Sequence, residues 1–158
     1  MEAASAAPFV GRPRAYRGIL WGGLIAGVLD LAYAFIAFKR PPIWILQSIA
    51  SGLLGAGAFK GGLGAAALGV VCHFVVATGA AALYYAASRK IALLVERPVF
   101  CGLLYGIAIY LFMNFVVLPL SAFPFKPSYP LRALIPGLLC HMLLIGLPIA
   151  LAVRRYSR

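Results

Sequence analysis

Residues 18–38 read GILWGGLIAGVLDLAYAFIAF, an apolar run of 21 residues interrupted by one carboxylate, Asp30. As a helix it is about 31 Å long, the thickness of a bilayer's hydrocarbon core. Arg12, Arg14 and Arg17 precede it and Lys39-Arg40 close it. A secretory signal would have a shorter apolar stretch ending at a small-residue cleavage site, so this segment reads as a retained first span.

Three more segments have the same character: residues 61–87, 99–120 and 133–153. Only 11% of the chain is charged, too little to cover the surface of a soluble domain of this size. Lys and Arg total 14 against three acids, a balance also found in nucleic-acid binders. Here the basic residues lie between long uncharged blocks rather than along one folded face, which excludes nucleic acid as the partner and leaves the lipid bilayer. Cys72, Cys101 and Cys140 lie within the apolar blocks without zinc-ribbon or CxxC spacing and read as small hydrophobes.

A fifth segment, residues 43–59, is uncharged but only 17 residues long. Pro41-Pro42 introduces it, Trp44 is placed as an interface anchor, and Gln47, Ser48, Ser51 and Gly55 share one helical face. Charge bias bears on whether it crosses. With four spans, one side holds Arg12, Arg14, Arg17, Arg89, Lys90, Arg97, Arg154, Arg155 and Arg158, and the other only Lys39, Arg40, Lys60, Lys126 and Arg132. A fifth crossing would nearly erase that difference. The expectation is therefore an all-α integral membrane four-helix bundle with both termini cytoplasmic and residues 43–59 as an interfacial or re-entrant helix. Residues 1–17 form a disordered cytoplasmic segment, residues 18–153 a single membrane domain, and residues 154–158 a basic cytoplasmic tail. Tyr84-Tyr85 falls where an aromatic belt is expected, and Pro148 should kink the last span.

The spans also pair. GLIAG at residues 23–27 and GLLYG at residues 102–106 occupy spans one and three; Cys72-His73 and Cys140-His141 occupy spans two and four, each with a glycine four residues before the histidine (Gly69, Gly137). The offsets differ by about the length of the 43–59 insertion, as a two-fold internal repeat would require. A glycine-rich first span, Gly-x-x-x-His in two later helices and a closing His-helix ending in Arg-Arg resemble the YagU-like inner-membrane proteins of bacteria. That resemblance covers nearly the whole chain and implies a bacterial inner membrane and a helical architecture. It brings no catalytic or binding residues with it.

Asp30, His73, His141 and Asn114 supply one polar residue per span. By helical rise all four fall at about the middle of the core or slightly outward of it. A carboxylate there costs about 2.5–3.5 kcal/mol or more, so Asp30 must be paired, protonated or facing water. Gly22, Ala26, Asp30 and Ala34 form one stripe, and Ala66, Gly69, His73, Ala77 and Ala80 another. Small-residue stripes mark close helix approach and offer a homo-oligomer its contact surface. The expected function is thus that of a non-enzymatic inner-membrane protein whose Asp/His/Asn cluster is structural or serves proton-linked transport or sensing. The alternative is a small bis-histidine protein holding haem b for membrane electron transfer, with Gly69 and Gly137 leaving room for the porphyrin. A metal site from either Cys-His pair is not expected, because adjacent helical residues point about 100° apart. There is no serine–histidine–acid set and no phosphate loop.

Overall fold

The structure, a computed structural model, describes residues 15–125 and 130–157. The expected cytoplasmic segment lies outside it up to residue 14, as do Lys126 and Arg158. Every regular element among the described residues is helical. Helix α1 covers Ala15–Ala37, α2 Pro42–Leu54, α3 Gly62–Ser88, α4 Leu93–Glu96 and α5 Pro98–Phe112. A π-helical segment, Met113–Val117, prolongs α5 into the short α6, Leu118–Leu120. A second one, His141–Gly146, joins α7 (Leu131–Cys140) to α8 (Leu147–Ser157). Two boundaries differ from expectation. Residues 15–17 already belong to α1, and Arg154 and Arg155 lie in the last turn of α8 rather than in a separate tail. Cations are favoured there by the carbonyl end of the helix dipole.

Among the described residues, five segments are long and apolar enough to cross a membrane: Tyr16–Ala37, Pro42–Lys60, Gly62–Ser88, Pro98–Leu120 and Ala133–Ser157. Large side chains face outward, among them Leu20, Leu24, Val28 and Ile36 on α1 and Leu63, Val71, Val75 and Leu83 on α3. The buried positions are mostly small: Ala26, Ala65, Ala66, Ala77, Ala81 and Ala150. This is the arrangement suited to hydrocarbon, where tight van der Waals contact between backbones, rather than burial of bulk, holds helices together.

The glycine pairs set those contacts. A Cβ at Gly23 would lie 2.6 Å from Thr78 Cα, and one at Gly27 would lie 2.8 Å from the Phe74 ring. In the second half, a Cβ at Gly102 would meet Gly146 O at 3.0 Å, and one at Gly106 would overlap His141 O and Met142 Cα. Gly18 and Gly22 of α1 meet Val153 and Ile149 of α8. Helix α1 therefore runs antiparallel to α3 and α8, and α5 to the Met142–Ala150 stretch, and the main core of Ala26, Ala81, Tyr84, Cys101, Ile145, Ile149, Ala150 and Val153 lies where α1, α3, α5 and α8 meet. Gly22, Ala26, Gly69 and Ala77 are all buried within the chain. These four stripe positions therefore take part in packing within the chain, while Asp30, Ala34, His73 and Ala80 stay partly exposed.

Tyr84 corrects the aromatic-belt expectation. It is 1% exposed, its hydroxyl donates to Leu94 O at 2.9 Å, and its ring meets Tyr105 edge-on at 5.0 Å. An inward-facing Tyr needs a partner for its O–H, and the start of α4 supplies it.

The segment Pro42–Lys60 is not one straight helix. At Gly55 the backbone takes φ +60°, a conformation that favours glycine, and Gly55–Lys60 then forms a 3₁₀ helix. In a continuous helix Trp44 and Phe59 would be about 22 Å apart. Their ring centroids are 5.3 Å apart, so the segment leaves and returns at one place. Arg40 lies over the Trp44 ring at 5.4 Å. Gln47 Nε2 donates to Gly62 O at 3.0 Å, Leu46 backbone lies against Gly69, and Ala122 N donates to Gly52 O at 2.9 Å. This hairpin bridges the start of α3 and the turn after α6.

Candidate functional site

Gly27, on the packed face of α1, lets α3 come close enough for His73 Nε2 to donate to the Gly27 carbonyl at 2.8 Å. A carbonyl only accepts, so Nε2 carries the hydrogen and Nδ1 is the bare nitrogen of the neutral ring. His141 is bound within its own helix: Nδ1 donates to Gly137 O at 2.9 Å, which leaves Nε2 bare. Its ring meets Tyr110 edge-on at 5.1 Å. Each imidazole thus has a fixed orientation and one free lone pair.

Asp30, His73 and His141 line one partly open cavity of about 80 Å³, together with Gly27, Ala77, Ile109, Met113 and Ile145. Polar groups from the first, second and fourth long apolar stretches of the sequence reading are brought together in it, in space suited to a few waters or a small cation. Asn114 is not among its lining residues. Its Nδ2 donates to Tyr110 O at 2.8 Å, one turn back along α5. The lining residue from that stretch is Met113 instead.

The two π-helical segments explain part of this placement. Leu147 N bonds to Met142 O and Leu118 N to Met113 O, each one residue beyond the α-helical partner. Pro148 and Pro119 follow these bonds directly. A proline has no N–H and its ring collides with the carbonyl four residues back, here Leu144 and Phe115, so the preceding turn widens. The kink expected at Pro148 therefore takes the form of a wide turn that begins at His141.

Cys140, the residue before that turn, also belongs to the site. Cys140 is buried and its Sγ donates to Asp30 Oδ1 at 3.4 Å. One ligand atom each from Asp30, Cys140 and His141 lie within 4.8 Å of one another. Adjacent residues that were expected to diverge both come close to the same carboxylate, which is supplied by α1. Sequence reasoning missed Cys140 as a member of this site; its one signal was adjacency to His141.

Gly69 and Gly137 do not open space for a porphyrin. Gly69 lies against the Leu46 backbone, and a Cβ at Gly137 would lie 3.0 Å from the Tyr110 ring. With His73 Nε2 engaged by Gly27 and a cavity of about 80 Å³, these residues do not fit a bis-histidine haem. No protein family, curated protein or solved structure matches the chain.

Proposed function

We propose that this is a multi-pass protein of the bacterial inner membrane, with four spans and both termini cytoplasmic, whose midplane Asp30/His73/His141 site serves proton-linked transport or sensing. The observation that carries this is the convergence of one carboxylate and two oriented imidazoles, from three spans, on one small cavity. Ionisable groups at that depth are costly and are retained where they move or sense charge. The 5.3 Å approach of Trp44 to Phe59 supports a hairpin rather than a fifth crossing. Among the described residues, Arg17, Arg89, Lys90, Arg97, Arg154 and Arg155 lie toward the end assigned to the cytoplasm. The contacts support an internal repeat: in each half the first glycine of the pair meets the residue five after the histidine and the second meets the residue after it.

A structural reading is favoured by a different observation, the hydrogen bonds from His73 to Gly27 and from Cys140 to Asp30, which link α3 and α7 to α1. Proteoliposomes enclosing a pH-sensitive dye separate the two. If protons are handled at the site, Asp30→Asn abolishes the pH-dependent response of protein that still elutes as folded. If Asp30 only latches helices, the variant accumulates poorly while its surviving fraction responds as wild type does.

A further inference from the structure

We propose that Asp30, Cys140 and His141 bind a divalent transition-metal ion of the zinc class within the membrane, an inference that rests on reading the midplane site as functional. The donor set is carboxylate, thiol and imidazole, a mixture that suits zinc-like ions and not the all-oxygen preference of magnesium or calcium. For a tetrahedral zinc with bonds of about 2.3 Å to sulfur and 2.0 Å to oxygen, the S···O edge is about 3.5 Å. Cys140 Sγ and Asp30 Oδ1 are 3.4 Å apart, and a ring nitrogen of His141 is within 4.8 Å of both.

The surroundings fit the same guest. A metal-binding histidine usually donates its other N–H to a carbonyl or carboxylate, which fixes the ring. His141 does this through Nδ1 to Gly137 O, leaving Nε2 for the ion. The cavity lined by two of the donors, Asp30 and His141, has room for a water as fourth ligand, and His73 and Met113 also line its walls. Charge also balances. Binding releases the Cys140 proton to solvent, and a dication held by one thiolate and one carboxylate is neutral overall, which removes the cost of a lone charge in hydrocarbon.

Cobalt(II) tests this on the purified full-length protein, because tetrahedral cobalt–thiolate centres absorb where the free protein does not. The expected result is one cobalt per chain, displaced by zinc, with a sulfur-to-metal band. That band is lost in Cys140→Ser, with binding weakened about 100-fold or more, and is unchanged in Cys72→Ser and Cys101→Ser. Should Cys140→Ser not fold, wild type still decides: zinc should protect Cys140, but not Cys72, from a membrane-permeant maleimide. No tetrahedral cobalt in folded wild type, a band that survives Cys140→Ser, or Cys140 alkylated equally with and without zinc overturns the assignment. Wild type that binds no cobalt yet keeps an Asp30-dependent proton response sinks the metal site alone. Cobalt bound at Cys140 without any proton response supports the metal site and sinks proton handling alone.

Discussion

Replacing Gly146 by alanine should loosen the bundle at the place that holds His141. A Cβ there would lie 2.7 Å from Gly106 Cα and closer still to Gly102 O and Gly106 N, all backbone atoms that cannot swing aside. Ordinary van der Waals contact begins at 3.4 Å, so the two helices must part by about 0.7 Å or more. A gap of about that size forfeits a quarter to a half of each affected contact, and overpacking of this kind costs about 1–3 kcal/mol. The better helix propensity of alanine returns about 1 kcal/mol, for a net loss of up to about 2 kcal/mol and a fall of up to roughly 30-fold in the folded-to-unfolded ratio. Gly79 is the matched control: it lies in the middle of α3 with nothing within 4 Å of an added Cβ, so Gly79→Ala should be neutral or slightly stabilising. Equilibrium unfolding in mixed detergent micelles, followed by circular dichroism, compares the two. A Gly146→Ala midpoint at or above wild type, or an equal fall in Gly79→Ala, refutes the packing assignment.

Tyr105→Phe removes a 2.7 Å bond to Ala80 O, so the same unfolding assay should show a loss of about 1 kcal/mol. Pro148→Ala gives Leu144 O an N–H partner again; the wide turn should relax to α-helix and rotate His141 by about 100° relative to α8. The expected result is unchanged helix content with the Asp30-dependent response lost, and a response equal to wild type would show that the turn does not place His141. In a cysteine-free background, Lys39→Cys and Lys60→Cys should both react with an impermeant maleimide from the periplasmic side. Reaction of only one of them would mean that the segment between them crosses the membrane.

The membrane class and the long helices were legible because they depend on unbroken apolar length, a property of the sequence taken one segment at a time. Asp30, His73 and His141 were legible as companions because helical rise alone puts them at comparable depth. Asn114 does not line the cavity, and rise alone cannot say so. Depth says nothing of azimuth, and the residue that lines the cavity there is Met113, at the start of the wide turn after α5. Cys140 was missed because an ideal helix separates it from His141 by about 100°, and no rule confined to that helix says that Asp30 would come close to both. Tyr84 looked like an interface residue because Leu94, which receives its hydroxyl, is supplied by a different element.

The return of Phe59 to Trp44 has a consequence for the parity of the chain. A segment that comes back to where it started contributes nothing to the number of crossings, whatever its length or hydrophobicity. On the four-span topology proposed above, residues 42–60 could be shortened or excised without inverting the orientation of α3, α5 or α8, and reporters fused beyond them would keep their side of the membrane. Deleting a true span of the same length would turn every later helix upside down and leave each basic flank on the wrong face.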